Sequence, residues 1–213
     1  MSDLAYNLIR YACYPAIAVS SRATVLHRDR ADRPGAYILA PTHLSPYDVP
    51  CLMRVTPRNL DWVSIVEAFR NPLVAMIYRS ANVFPLDRSR PDGPTVRIIL
   101  DRLKRGRVIT MFPEGSIRTE ENSVLTGAPF KPGIARLAQL ADVPVIPVVI
   151  LGSTGYSRVL SWAPIRGLHY GVNCGQPLLV RKDLHKAEAV KQFLAAMRQA
   201  YLDLYAELKI AMR

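Results

Sequence analysis

A chain of 213 residues can bury one proper core, and a single domain accounts for its length. Its 28 Lys and Arg against 17 Asp and Glu leave a formal net charge of +11, which favours anionic partners: phosphorylated ligands, nucleic acid or acidic lipid surfaces. The cysteines, Cys13, Cys51 and Cys174, are odd in number and never in C-x-x-C spacing, which argues against a disulfide framework or a zinc site and points to a reducing compartment.

The first element is apolar. "LAYNLIRYACYPAIAVSS" is interrupted only by Asn7 and Arg10, and its uncharged part, Tyr11 to Ser21, is shorter than the roughly 20 residues a spanning helix needs. Residues 1–22 therefore read as a helical segment that lies in a membrane interface without crossing it, with a core-packing helix as the alternative. A Met-Ser-Asp start and the lack of a clear small-residue cleavage site argue against a signal peptide.

Strand-like runs follow at "AYILAP", "WVSIV", "NVFPL", "RVITMF", "VPVIPVVI" and "LHYGVNC", separated by helical or loop segments. This alternation predicts an α/β domain over residues 23–213, a mixed and mostly parallel sheet flanked by helices. Between Gly93 and Gly106, Val96, Ile99, Leu100 and Leu103 fall at helical spacing, with Pro94 suited to a first turn and Gly106 to a C-terminal stop. The C-terminal stripe Val190, Phe193, Leu194, Met197, Tyr201, Leu204 and Leu208 predicts a long helix with one buried face. No repeat or low-complexity tract marks a second domain. Function is left to loops, above all residues 40–46 and 113–133.

The first of these contains "HLSPYD", residues 43–48. As local structure it reads as a capping box, with Ser45 at the N-cap, Pro46 at N1 and Asp48 at N3, although Pro50 would then fall at a fifth helical position and cost a hydrogen bond. As chemistry it pairs a histidine with a carboxylate that can fix its tautomer and leave a general base poised near neutral pH. Both readings stay open on spacing alone.

In the second, "VITMFPEGSIRT" runs from a strand into Pro113, Glu114, Gly115 and Arg118, a turn that exposes backbone N–H groups beside a glutamate and an arginine and suits a phosphate and a neighbouring hydroxyl. Arg88 and Lys131 supply further cations, each of which also reads as an ordinary surface charge. No G-x-S-x-G elbow offers a hydrolase nucleophile, so Ser45 and Ser116 read as cap and loop residues. His27, His169 and His185 are scattered, with no H-E-x-x-H, and suggest no metal site.

Taken in order, four blocks resemble the bacterial 1-acyl-glycerol-3-phosphate acyltransferases of the glycerolipid acyltransferase family: "HLSPYD" its H-x-x-x-x-D motif, "VFPLDR" its arginine-ending block, "FPEGSIRT" its F-P-E-G block, and "VPVIPV" its proline-centred strand. They span residues 43–148. Two positions depart from the pattern: Thr42 stands where the family often has Asn, and Glu-Gly-Thr-Arg becomes Glu-Gly-Ser-Ile-Arg, which moves Arg118 one place along. The resemblance implies that His43 is the base and Asp48 orients it. It also implies that Glu114 and Gly115 position a glycerol end, and that Arg88, Arg118 and Lys131 hold a phosphate.

It further implies transfer of a fatty acyl chain from an acyl-CoA or acyl-carrier-protein thioester to lysophosphatidic acid, without a bound cofactor or metal, at the cytoplasmic face of the cell membrane among membrane lipids. Acylation of a different lipid acceptor is the alternative within that class. A non-catalytic lipid-binding or lipid-transfer protein is the alternative outside it, and it would have no use for the His43–Asp48 pair. No motif among the basic residues reads nucleic acid.

Overall fold

The computed structural model describes residues 3–87 and 93–213; Arg88, one of the expected phosphate ligands, lies outside them. Helix α1 (Asp3–Ser20) leads directly into strand β1 (Ser21–Leu26), so the boundary expected after residue 22 falls inside a strand. There follow β2 (Tyr37–Pro41), α2 (Asp48–Val55), β3 (Leu60–Ile65), α3 (Pro72–Ser80) and β4 (Val83–Leu86). The second half comprises α4 (Gly93–Lys104), β5 (Val108–Thr110), α5 (Gly133–Ala141), β6 (Val145–Leu151), β7 (Leu168–Cys174) and α6 (Lys186–Ala211).

The seven strands form one sheet in the order β1-β7-β6-β2-β5-β3-β4. Every neighbouring pair is parallel except β6 and β7. The mixed, mostly parallel sheet expected from the sequence is thus present. Its central strands carry apolar side chains on both faces, as a sheet covered on both sides requires. Ile38 and Ala40 of β2 join Ile99 and Leu103 of α4, Ile134 of α5 and Phe193 and Met197 of α6 in one core. Tyr37 and Leu39, alternate residues of the same strand, point the other way and join Leu52 of α2 and Tyr6 and Ile17 of α1.

Helix α1 is fastened by polar contacts as well. The Arg10 guanidinium donates to the carbonyls of Thr56 (2.7 Å) and Pro57 (3.0 Å), which satisfies groups beyond the C-terminal end of α2. At its N-terminus Asp3 accepts from Arg107, which also pairs with the fully buried Asp61 of β3. Leu4, Leu8 and Tyr11 are nevertheless 77%, 71% and 67% exposed. Among the described residues no helix is long and apolar enough to cross a membrane.

Candidate active site

In a mostly parallel α/β sheet the segments leaving the carboxyl ends of the strands converge on one crevice. Here β2 delivers His43, β5 delivers Met111 to Arg118, and β6 delivers Ser153. Thr42, where the family often has Asn, fixes the first of these departures. Its backbone N–H donates to the Val148 carbonyl (2.9 Å), and its hydroxyl accepts from the Ile150 N–H (2.9 Å), stitching the end of β2 to β6.

His43 Nδ1 lies 3.2 Å from Asp48 Oδ2. That carboxylate is fully buried, and Oδ2 also accepts the backbone N–H groups of Leu44 (2.8 Å) and Ser45 (2.9 Å). Ser45 Oγ in turn accepts the N–H of Tyr47 (3.1 Å). The two readings of "HLSPYD" therefore overlap in part: the carboxylate half of a capping box is present, with Asp48 accepting the Ser45 N–H, while the Ser45 hydroxyl accepts from Tyr47 rather than from Asp48, and the same carboxylate also holds the histidine. Regular helix begins only at Asp48, two residues later than the spacing predicts, so Pro50 falls in the first turn, where its missing N–H costs nothing.

With Nδ1 engaged, Nε2 remains for chemistry, and the imidazole lines an open cleft with its side chain 16% exposed. The plane of the ring is set by Phe112, stacked on it at 3.7 Å with an angle of 16°. Phe112 lies two residues beyond the end of β5; its apolar character was legible in the sequence, but its packing against His43 depends on the adjacency of β2 and β5.

Glu114 lies beside the pair, with Oε1 accepting the His43 backbone N–H at 3.3 Å. The residue is 3% exposed, and Oε2 has no hydrogen-bond partner among the described residues. Burial pushes its carboxyl up to about 7, against the opposing pull of the His43 N–H and the Arg118 charge. Gly115 adopts φ +76°, a left-handed conformation that glycine takes without strain, and its Cα faces the Lys131 side chain. The displaced Arg118 is still held at the site, because its backbone N–H donates to the His43 carbonyl at 2.8 Å. The Lys131 N–H likewise donates to the Pro113 carbonyl (2.9 Å).

Arg118, Lys131 and Arg136 of α5 all line the cleft, and none forms an ion pair with a described carboxylate. Arg136 did not stand out in the sequence, since a single charge on a short helix carries no signal of its own. The structure thus brings His43, Asp48, Glu114, Gly115, Arg118 and Lys131 to one corner. Among the described residues no group of three or more His, Cys, Asp or Glu side chains is disposed to hold a metal ion.

The cleft has a volume of about 1430 Å³, above the range of roughly 300–1,000 Å³ usual for small-molecule sites. Away from the polar corner its walls are largely apolar, built from Ile9, Cys13, Tyr14 and Ile17 of α1, Val49 and Met53 of α2, Ile77 of α3, and Ile134 and Leu137 of α5. Such a shape suits a molecule with one anionic end and long apolar chains.

A sequence profile described as Acyltransferase matches residues 22–151, which include His43, Asp48, Glu114, Gly115, Arg118, Lys131 and Arg136 but neither α1 nor Ser153. The chain belongs to the acyltransferase family. A 1-acyl-sn-glycerol-3-phosphate acyltransferase of Bacillus subtilis is 22% identical over 200 residues, covering 92% of each chain. One from Limnanthes douglasii is 30% identical over 117 residues, which span 52% of this chain and 39% of the relative. Among solved structures, the 1-acyl-sn-glycerophosphate (LPA) acyltransferase of Thermotoga maritima superposes with a TM-score of 0.68 at 18% identity. That match covers 94% of this acyltransferase and 78% of the other chain. It shows that the two share a fold.

Proposed function

We propose that this acyltransferase moves a fatty acyl chain from a thioester, carried by CoA or an acyl carrier protein, to the free hydroxyl of lysophosphatidic acid. The observation that carries the reading is the His43–Asp48 pair at a long apolar cleft whose polar corner also holds Glu114 and cations that have no ion-pair partner among the described residues. The relatives' names agree with it.

A thioester is already activated, so the chemistry needs a base but no covalent acyl-enzyme. His43 Nε2 takes the proton of the acceptor hydroxyl as its oxygen attacks the thioester carbonyl carbon. The tetrahedral intermediate collapses with cleavage of the C–S bond, and the thiolate leaves with the proton returned by the imidazolium. Asp48 keeps Nε2 directed at the cleft and offsets the positive charge that develops on the ring. Glu114 and Gly115 position the glycerol backbone, while Arg118 and Lys131 balance the phosphate with charge-assisted hydrogen bonds; Arg88 follows β4 in sequence and is assigned the same role.

The acceptor is a membrane lipid, so we place the enzyme peripherally on the cytoplasmic membrane face. The exposed stripe Leu4, Leu8 and Tyr11 on α1 would be seated in the interface. Val159, Leu160 and Ile165 would join it; they are 88%, 82% and 72% exposed on a segment whose Arg166 N–H donates to the Val19 carbonyl of α1.

The test is an acyl-transfer assay with a panel of acyl-CoA and acyl-carrier-protein donors and of lysolipid acceptors, with product identification. Phosphatidic acid formed from lysophosphatidic acid is the expected product. The folded His43→Ala protein should lose on the order of 10²- to 10⁴-fold in kcat. Near-normal turnover by that variant would remove the base from the mechanism.

A further inference from the structure

The carboxylate that holds the histidine has two oxygens, and only one is explained by the motif that contains it. Oδ2 receives its three hydrogen bonds from residues 43–45, all within the same turn. The partner of Oδ1 is the hydroxyl of Ser153, 105 residues away in sequence, at 2.5 Å. Asp48 and Ser153 are both fully buried, so bulk solvent does not compete for this contact.

We infer that Ser153 is a positioning residue for the acyl transfer, acting through Asp48 to hold the imidazole of His43 in its working orientation. The inference rests on the general-base reading above.

Three observations carry it. A carboxylate anchored only through Oδ2 can still swing Oδ1 about that oxygen; anchored at both, by segments leaving the adjacent strands β2 and β6, its plane is fixed and Oδ2 is held toward Nδ1. A buried carboxylate also needs a donor for each oxygen to remain charged at low cost, and Ser153 is the donor for Oδ1. Finally, the backbone at this point admits little else. Gly152, which precedes the serine, has φ +79°, and a Cβ added there would lie 2.4 Å from the His169 carbonyl oxygen and 3.1 Å from the Tyr170 Cα. The turn leaving β6 thus runs tight against β7, and with the backbone so placed the Ser153 hydroxyl meets the buried Asp48 rather than solvent.

The experiment is a double-mutant cycle in steady-state kinetics, using whichever thioester donor and lysophosphatidic acid support turnover. Hydrogen bonds to charged groups have strengths that correspond to roughly a 10- to 100-fold change. Ser153→Ala should therefore lower kcat by about that factor and leave the acceptor and donor KM values near wild type. In an Asp48→Asn background the same Ser153→Ala change should cost little further, because the carboxylate it serves has gone.

Equal loss in both backgrounds, or a loss confined to KM, would overturn the assignment and make Ser153 a general packing residue. Should Ser153→Ala fail to fold, Ser153→Cys decides instead: it retains similar volume with a much weaker donor, and a wild-type kcat for that protein would also overturn it. The His43→Ala enzyme in the same assay separates the two levels of argument. If it turns over normally the general-base reading fails, whereas if it is inactive and the cycle is additive only the role of Ser153 fails.

Discussion

Glu114, to which we assign a substrate-positioning role, is a carboxyl held at a cost to stability. Burial dominates and, with a smaller push from the Asp48 charge, lifts the carboxyl to about 7 from an ordinary value near 4.5, although the His43 N–H and the Arg118 charge favour the charged form. Between those two values the folded protein holds a proton that the unfolded chain has released, so stability falls as pH rises through this window and levels off above it. Glu114→Gln removes the titration. Its melting temperature should therefore exceed that of the wild type at pH 8, and the difference should shrink or vanish at pH 4.5, as thermal melts at the two pH values would show. Activity should fall at the same time, since the amide keeps the volume of Oε2 but not its charge. A parallel pH dependence of the two proteins would mean that Glu114 titrates normally.

Arg118 presents the complementary case, a cation at the cleft with no carboxylate partner among the described residues. Its removal exposes no buried charge, so the fold should be indifferent to Arg118→Ala. The cost should appear as a rise of roughly 10- to 100-fold in the apparent KM for lysophosphatidic acid, the range expected for charge-assisted bonds to a phosphate. Kinetics with each substrate varied in turn check this. A change confined to the donor would move Arg118 to the thioester side of the cleft.

At the scale of elements, the sheet is held at the amino ends of its strands by a buried ionic cluster well away from the chemistry. Asp61 of β3 is fully buried and accepts from Arg107 Nε (2.6 Å) and Nη2 (2.5 Å), with Arg102 Nη1 at 3.1 Å. Arg107 also reaches Asp3 and so ties the start of α1 to the sheet. Removing one member of a buried pair typically costs 3–5 kcal/mol, and since Arg102 would still reach Asp61, Arg107→Ala should destabilise by about 3 kcal/mol in urea unfolding. Asp3→Asn, acting on a carboxylate 42% exposed, should cost less than about 1 kcal/mol. Equal effects would mean that the anchoring of α1, rather than the charge of Asp61, dominates the cluster.

What could be read from the sequence follows from the same physics. The six runs recognised as strands are strands, because "YILAP" and "VIPVVIL" are buried on both faces and carry the apolar, β-branched signature throughout. Strand β1, "SRATVL", went unnoticed: it lies at the sheet edge and opens on Ser21 and Arg22, so its identity comes from pairing with β7. Helix α3 also left no readable pattern, for Leu73, Met76 and Ile77 are exposed where an amphipathic helix would be polar. At the site, His43 and Asp48 were legible because their interaction is local, five residues apart. Ser153 was not, since only the adjacency of β2 and β6 brings it to Asp48.

The whole molecule joins an apolar-walled cleft to a strongly basic chain, and helix α1 links the two. One side of α1 is structural: Tyr6 and Ile17 are buried, and Ile9, Cys13, Tyr14 and Ile17 line the cleft. A deletion to residue 22 would therefore remove core, part of the site and the first residues of β1 together, and loss of vesicle binding by such a protein would be uninterpretable. Point changes on the outer face avoid this.

Leu8 and Tyr11 are 71% and 67% exposed, and replacing both with Asp alters no buried contact. If this face is seated in a bilayer, apolar burial and attraction to anionic lipid both contribute, and only the second is screened over the Debye length of about 8 Å at physiological salt. The wild type should co-sediment with vesicles containing phosphatidylglycerol more strongly than with phosphatidylcholine alone, and raised salt should weaken the binding in part without abolishing it. Leu8→Asp/Tyr11→Asp should lose most binding at either ionic strength while its melting temperature stays within a few degrees of wild type. Val159→Asp/Leu160→Asp should give a further, separate loss. Undiminished binding by both double variants would place the membrane contact on another face. Binding that disappears entirely in high salt would mean that the +11 charge acts alone, with the exposed apolar side chains left in water.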